Sequence, residues 1–215
     1  MRWHWITGLA LCALTDAAAA PTRQRTPPRP AATAVTAAAA LECPHVLGPG
    51  VATQRTFCDI EAVSEPPAGA VVRLPPHRGP VTLTFDLHNR HMYSAELVES
   101  GRGYTRATAT IGVLTMNRRL VARAVVQTEF RRAADLLDRI SAGAGMAGVK
   151  AVAPIGSEPV TIEIPEGIDV VAILGEKLVV VRSDATETIA GAGRPIAVVS
   201  NVKVRYRAAP KRRRP

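Results

Sequence analysis

The sequence has few aromatic residues, since Phe, Trp and Tyr make up 4% of its 215 residues. Both tryptophans, Trp3 and Trp5, belong to the extreme amino terminus. A platform that binds carbohydrate by stacking needs several exposed rings, because the ring face supplies the contact area. The composition therefore argues against a binding surface of that kind.

Long apolar runs are lacking after residue 20, where no uninterrupted stretch reaches the ~20 residues of a membrane-spanning helix. Residues 1–20 combine Arg2, the apolar run "ITGLALCALT" and the small residues "AAAA", an arrangement typical of a secretory signal peptide. Cleavage after Ala19 or after Ala20 fits this pattern. We therefore expect an exported protein, periplasmic or extracellular, without a transmembrane segment.

Cysteine is scarce, with three in the chain, and Cys12 lies within the predicted signal peptide. The remaining two, Cys43 and Cys58, are an even number in an exported chain, which favours one disulfide bond. Closing a loop of this length contributes about 3 kcal/mol to stability. The alternative, a metal site that uses both thiols and His45, is disfavoured in an oxidising compartment.

Acidic residues are missing from two stretches near the ends of the chain. Residues 21–40 contain three arginines and no acid, and residues 202–215 contain seven basic residues and no acid. Residues 41–201 hold 16 basic and 17 acidic residues, so the net charge of +9 comes from the two stretches. The body has no net basic surface for a phosphate backbone, and we expect no specific nucleic-acid partner.

Composition divides the chain after residue 20 into three parts. Residues 21–40 are rich in Pro, Ala and Thr and have no apolar period, which predicts a disordered linker. Residues 41–208 have the composition of a single β-rich globular domain. Residues 209–215 form a basic tail that is predicted to be disordered.

The tail carries a run of basic residues that no acid offsets: Lys211, Arg212, Arg213 and Arg214. Outside the cytoplasm the available polyanions are lipid headgroups and acidic envelope polymers. Each basic residue near an anionic membrane contributes about 1 kcal/mol of attraction, which salt screens. We therefore expect these side chains to contact an anionic surface; the alternative is that the tail only aids solubility.

Apolar and polar residues alternate along most of the predicted domain. In "VTLTFDLH", residues 81–88, the apolar positions fall on one face of a strand, and "RATATIGV", "VTIEI" and "NVKVRY" repeat the pattern. Shorter β-branched runs raise the number to about nine strands. Turn-forming segments such as "PPHRGP", "MNRR" and "PEG" separate them. The pattern predicts a mainly β fold, an antiparallel β-sandwich or a barrel-like sheet.

One segment departs from the period of two. "TEFRRAADLLDRISAG" places Phe130, Ala134 and Leu137 at helical spacing, with Thr128 as a candidate N-cap. We therefore predict one connecting α-helix near residues 129–141, packed against a sheet.

The stretch "FDLHNRHMY", residues 85–93, sets an Asp and two His within six positions. If a tight turn forms at residues 89–90, His88 and His91 oppose each other across a hairpin and Asp86 shares their face. A carboxylate and two imidazoles are typical ligands of zinc or iron. The stretch is therefore a candidate metal site.

The same stretch also fits an exposed strand end or a surface that contacts a ligand. In the latter case the contacts come from Arg90 and Tyr93, together with Arg102 and Tyr104 of the loop "ESGRGYTR". Loops that project from a rigid sheet commonly carry binding residues.

Motifs for catalysis or cofactor binding are not found in the sequence, which has no G-x-S-x-G and no H-E-x-x-H. Residues 143–148, "GAGMAG", match the dinucleotide pattern, but they follow the predicted helix and precede a strand, the reverse of the order that nucleotide binding needs. We therefore expect no cofactor.

Two functions remain. The first is an exported, non-catalytic β-domain that binds a protein or an envelope component. The second is a small metal-dependent enzyme or metal-binding protein centred on Asp86, His88 and His91. We expect the first, because no motif in the sequence supports a reaction.

Overall fold

Two antiparallel β-sheets pack face to face in a computed structural model that describes residues 33–140 and 151–210. The strands in this part of the chain are β1 (Ala34–Ala38), β2 (Ala40–Glu42), β3 (Val46–Pro49), β4 (Thr56–Glu61), β5 (Ala70–Arg73), β6 (His77–Tyr93), β7 (Thr105–Thr115), β8 (Leu120–Phe130), β9 (Ala151–Ile164), β10 (Val170–Arg182), β11 (Thr186–Ile189) and β12 (Pro195–Ala208). The helical segments are α1 (Ala95–Glu99) and two 3₁₀ turns, Pro66–Ala68 and Ala133–Asp135.

Strand order defines two sheets, which we name sheet A and sheet B. Sheet A has the order β3-β4-β12-β6-β9, and β1 also pairs with β12. Sheet B has the order β2-β5-β10-β7-β8, and β11 also pairs with β10. The predicted antiparallel sandwich is therefore confirmed, and the described strands do not close into a barrel.

The core lies between the sheets because alternate residues of each strand point inward. In strands β6 and β7 these inward residues are all buried: Val81, Leu83, Phe85, Leu87, Ala107, Ala109, Ile111 and Val113. The alternation that the sequence shows is thus the alternation between core and outer face. All described residues belong to one compact unit.

A disulfide bond joins Cys43, which follows β2 of sheet B, to Cys58 in β4 of sheet A. The Cα atoms are 5.9 Å apart, and Cys58 is 2% exposed at the margin of the core. The bridge that the sequence predicts is therefore present, and it links the two sheets where the chain passes from one to the other.

The helix predicted near residues 129–141 is wrong. Strand β8 continues to Phe130, which pairs with Thr105 of β7, and a 3₁₀ turn follows at Ala133–Asp135. The Asp135 carboxylate accepts hydrogen bonds from the backbone amides of Arg131 and Arg132, at 2.8 Å and 3.0 Å, and so closes this turn. Strand pairing and the burial of Phe130 outweigh the helical spacing. The last residue of the prediction, 141, and "GAGMAG" lie outside the described residues.

Part of the range predicted as a linker, residues 21–40, forms β-strands. Residues 34–38 form β1, which pairs with the second half of β12, and β2 begins at Ala40. Small Ala, Val and Thr side chains pack beside a neighbouring strand although they give no apolar period. Residues 1–20, residues 21–32 and the basic residues 211–214 lie outside the described part of the chain. No helix among the described residues is long and apolar enough to cross a membrane.

Candidate functional site

The tight turn at residues 89–90, on which the metal-site prediction depends, does not form, because β6 runs without a turn from His77 to Tyr93. It pairs with β9 from Val81 to Tyr93, with one register shift between Leu87 and Asn89. Along a continuous strand, residues three apart point to opposite faces. The three candidate ligands of the metal-site prediction therefore do not converge.

His88 lies on the outer face of sheet A and is fully buried. Its Nδ1 donates to the carbonyl oxygen of Gly156 at 2.6 Å, so its Nε2 accepts from the hydroxyl of Ser200 at 2.9 Å. Burial lowers the pKa of His88, although the Gly156 carbonyl opposes this, so the ring is neutral at pH 7. Both ring nitrogens are therefore occupied by the fold.

The pair formed by Ser200 and His88 has the hydrogen bond of a nucleophile and its base. However, Ser200 is 1% exposed and His88 is 0% exposed, and Phe57 packs edge-on against the imidazole. A nucleophile must reach its substrate, so this pair is a buried structural contact in the described conformation.

The other two candidate ligands have partners of their own. Asp86 accepts hydrogen bonds from Arg55 at 3.0 Å and from Asn201 at 3.3 Å. His91 stacks on Phe130, with ring centroids 3.9 Å apart. Burial and the positive charge of Arg182 lower the pKa of His91 to about 4. Across residues 33–140 and 151–210, no three His, Cys, Asp or Glu residues are grouped closely enough to hold a metal ion.

One end of the outer face of sheet A is covered, and we call it the covered half. Residues 131–140, which we call the crossing segment, pass over it and bury an apolar cluster formed by Phe57, Val198 and Ile140. Leu47 and Leu137 pack against the same cluster. This part of the sheet face is therefore a second, smaller core.

Asp138 fastens the crossing segment to the turn that follows β3. Its carboxylate accepts hydrogen bonds from the backbone amides of Ala52 and Thr53, at 2.9 Å and 2.8 Å, and from the Thr53 hydroxyl. Burial would raise the pKa of Asp138, but these hydrogen bonds and one from the amide of Arg139 outweigh it and lower the pKa to about 2. Gly50 is required here because a Cβ at this position would lie 1.9 Å from Oδ2 of Asp138.

An ion pair between Asp59 and Arg90 completes the covered half. Asp59 is 5% exposed, and burial raises its pKa even though Arg90 acts in the opposite direction. Its Oδ1 atom has no hydrogen-bond partner among the described residues. Arg90 is thus a structural partner of Asp59 as well as a residue close to the surface.

The other end of the same sheet face is open and positively charged, and we call it the basic half. It consists of four exposed side chains on two adjacent strands: Arg78 of β6 and Lys203, Arg205 and Arg207 of β12. Arg207 pairs directly with Arg78, Arg205 with Thr82 and Lys203 with Thr84. Directly opposed residues of an antiparallel pair point to the same face, so the four side chains share one surface.

The four side chains of the basic half make no hydrogen bond or ion pair with any described residue. The strand pairing places Glu163 of β9 as the nearest described acid on their face. Thr82 of β6 lies between Glu163 and Arg205, because it pairs with both. Asp86, further along the face, is already paired with Arg55. The positive charge of this surface is therefore mostly uncompensated.

The remaining sequence candidates surround the loop after α1. Arg102 donates to the Ser100 hydroxyl at 3.2 Å, and the guanidinium of Arg131 lies 4.9 Å from the centre of the Tyr104 ring. Arg90 and Arg102 line a common cleft, whereas the ring of Tyr104 lies against Arg131. The side chain of Tyr93 is outside the described part of the chain.

Sequence reasoning identified part of this arrangement. Alternation in "NVKVRY" predicted that Lys203 and Arg205 lie on the face opposite Val202 and Val204. In the structure the two basic side chains are exposed, whereas Val202 is half-buried and Val204 is buried. It missed Arg78, because the segment "PPHRGP" suggested a turn, whereas β6 begins at His77. Only the pairing of Arg78 with Arg207 could have revealed their common face.

Fold and surface together define an antiparallel β-sandwich with a cationic face on one sheet. No family model matches the chain, and no curated protein matches it. Among solved structures, the isomalto-dextranase of Arthrobacter globiformis T6 complexed with panose matches over 82% of this chain, at 20% sequence identity and a TM-score of 0.28. The chain spans 22% of the length of that protein. A likeness of this degree carries no argument about function.

Proposed function

We propose that this chain is an exported, non-catalytic binding domain that docks on the anionic lipid surface of the cell envelope through the basic half of sheet A. The observation that carries the proposal is the row of exposed basic side chains without partners among the described residues. Such a surface is complementary to a layer of anionic headgroups.

The geometry of a strand favours simultaneous contacts. Alternate residues of a strand are about 7 Å apart, so Lys203, Arg205 and Arg207 form a row about 14 Å long. Arg78 widens the row at one end, since it lies directly opposite Arg207. A flat surface of this size can contact several headgroups at once.

The energies fit weak, reversible attachment. Each basic residue near an anionic membrane contributes about 1 kcal/mol, so the four residues of the basic half supply about 4 kcal/mol before screening. Ala209 donates a backbone hydrogen bond to Pro76 at 3.1 Å, so the chain leaves the sheet beside the basic half. The basic residues of the tail, Lys211–Arg214, follow at once in the sequence and add to the same attraction.

Two further observations support the proposal. The Cys43–Cys58 disulfide is of the kind that persists in oxidising compartments, in agreement with the signal-like pattern of residues 1–20. The side chains that suggested chemistry, His88 and Asp86, are engaged by Ser200 and Arg55 as parts of the fold.

Sedimentation of the mature chain with lipid vesicles tests the proposal. The test variant is the triple substitution Lys203→Gln, Arg205→Gln and Arg207→Gln. A matched control removes the same charge from exposed positions away from the basic half, with Arg106→Gln, Arg119→Gln and Lys177→Gln. We expect binding to vesicles that contain phosphatidylglycerol, little binding to phosphatidylcholine alone, and about 100-fold weaker binding of the test variant.

Three results would overturn the proposal. Equal weakening by both triple variants would show a dependence on net charge alone and not on the basic half. Binding to soluble polyglutamate without binding to vesicles would point to an acidic polymer or protein as the partner. If a chain ending at Ala209 lost all binding, the tail and not the sheet would be the contact.

A further inference from the structure

A second surface lies at the opposite end of strands β6 and β12, where residues of both sheets and of the loop after α1 line a cleft of about 380 Å³. Four arginines line it, Arg90, Arg102, Arg182 and Arg194, and we call it the arginine cleft. Its volume falls within the range of about 300–1,000 Å³ that is usual for sites of small ligands. The cleft shares no residue with the basic half.

The wall of the arginine cleft is apolar. Leu178 is 7% exposed, Val180 and Ile189 are half-buried, and all three line the cleft from sheet B. At the rim, Met92 and Leu97 are 44% and 42% exposed. Exposed apolar side chains beside an apolar wall provide a surface that an aliphatic chain can cover.

The charge of the arginine cleft is positive because two of its four guanidinium groups have no carboxylate partner among the described residues. Arg90 pairs with Asp59, and Arg182 pairs with Glu187 at 3.3 Å. Arg102 donates only to the Ser100 hydroxyl, and the side chain of Arg194 makes no hydrogen bond or ion pair with a described residue. None of the described residues that line the cleft is an Asp or Glu.

The imidazole of His91, which also lines the cleft, does not add charge. Burial and the neighbouring Arg182 lower the pKa of His91 to about 4, so its ring is neutral at pH 7. Its Nδ1 atom lies 3.3 Å from the Thr105 hydroxyl, and its ring stacks on Phe130. The ring therefore forms part of the apolar wall.

We infer that the arginine cleft binds a small amphipathic carboxylate, whose carboxylate is held by Arg102 and Arg194 and whose aliphatic chain lies along Leu178, Val180 and Ile189. Guanidinium groups form charge-assisted, commonly bidentate hydrogen bonds with carboxylates. The apolar wall would contact the aliphatic chain of the ligand, and the two arginines that lack a carboxylate partner in the described part of the protein would bind its carboxylate. This site is separate from the membrane-docking surface and does not depend on it.

Titration followed by amide NMR at Gly103, which lines the cleft, tests the inference. The first probe is octanoate. Its two controls are octanol, which lacks the charge, and acetate, which lacks the aliphatic chain. The second probe is acetyl-Ala-Leu with a free carboxylate, compared with its carboxamide. Because the same chemistry occurs in free fatty acids and at the carboxyl end of a peptide, the two probes distinguish the source. We expect a saturable shift with one or both carboxylates, and binding at least about tenfold weaker for each control.

Variants of the cleft give the second readout. Arg194→Gln removes a guanidinium without stripping a carboxylate of its partner, and we expect it to weaken octanoate or peptide binding about tenfold or more. Arg106→Gln, on an exposed part of β7, removes the same charge elsewhere and is expected to leave the affinity unchanged.

The inference is overturned if neither carboxylate gives a saturable shift, if octanol binds as well as octanoate, or if Arg194→Gln and Arg106→Gln have equal effects. The triple variant Lys203→Gln, Arg205→Gln and Arg207→Gln is expected to retain the probe affinity. Loss of vesicle binding with retained probe binding would therefore separate the two surfaces.

Discussion

The two halves of strand β12 have the same neighbour, β6, but different surroundings. From Pro195 to Ser200 the strand is buried on both faces, whereas from Asn201 to Arg207 exposed residues alternate with buried or half-buried ones. Residues 131–140 cover the first half, and no described segment crosses the outer face of the second half. One face of a sheet can thus be core at one end and a charged surface at the other, according to what packs over it.

Asn201 marks the boundary between the halves. Its φ angle is 55°, in the left-handed region, where Asn is one of the few tolerated residues. The pairing with β6 shifts register between Ser200 and Lys203, which reverses the alternation of the strand. Without this bulge, Lys203 and Arg205 would point into the core.

The largest loss of stability in the covered half is expected from a substitution at Phe57, which is 0% exposed beneath the crossing segment. We expect Phe57→Ala to lower the free energy of unfolding by about 3–5 kcal/mol, because a large buried ring leaves a cavity. Val125→Ala, at a side chain 53% exposed on sheet B, is the control and should change it by less than about 0.5 kcal/mol. Urea denaturation measures both. A small effect at Phe57 would mean that the covered half is not a core.

Asp138 tests whether the crossing segment is fastened as described. The folded pKa of about 2 lies below the ordinary value, so its stabilisation is present above about pH 4 and is lost as pH falls towards 2. We expect Asp138→Asn to cost about 2 kcal/mol at pH 7, with the difference from wild type shrinking below pH 4. Asp184→Asn, at an exposed turn, is the control. A difference that stays constant from pH 7 to pH 2 contradicts the hydrogen-bonded carboxylate.

Substitutions at Asn201 test whether the boundary between the two halves of β12 needs a left-handed backbone conformation. A β-branched residue is strained at positive φ, so we expect Asn201→Val to lower the free energy of unfolding by about 1–2 kcal/mol. Asn201→Gly tolerates the same backbone and should cost less than the valine substitution. Thermal unfolding ranks the two variants. Equal stability of both would show that the left-handed conformation is not needed.

Substitutions in the basic half should change the stability of the fold very little. Arg205 makes no described ion pair, so we expect Arg205→Gln to change the free energy of unfolding by less than about 0.5 kcal/mol. The same denaturation experiment used for Phe57 measures it. A loss above about 1 kcal/mol would mean that Arg205 supports the fold and is not reserved for a partner.

How much the sequence could predict depended on whether the signal was local. Alternation within β6, β7 and β12 is a local pattern, and it predicted the sandwich correctly. The helix prediction for residues 129–141 failed because their structure depends on contacts with residues distant in the sequence. Leu136 forms an antiparallel β-bridge with Ile155, and the backbone amide of Leu137 donates a hydrogen bond to the carbonyl oxygen of Pro154. Helical spacing contains no information about such contacts.

The candidate metal site, the arginine cleft and the basic half likewise depend on contacts that a local sequence pattern does not contain. The histidines of "FDLHNRHMY" could be placed only once the length of β6 was known, since an uninterrupted strand sends His88 and His91 to opposite faces. The arginine cleft joins residues from Arg90 to Arg194, more than a hundred positions apart, and no sequence pattern links them. Arg78 likewise belongs to the basic half only through register.

The measurement that tests the docking surface most directly is amide NMR with bicelles that contain phosphatidylglycerol and a paramagnetic headgroup. Broadening reports which residues approach the headgroups. We predict selective broadening on the outer face of sheet A at residues 203–207, Arg78 and Thr82, with little change on the outer face of sheet B at Thr108 and Val179. Broadening that is strongest on sheet B, or that is confined to residues after Pro210, would contradict the account.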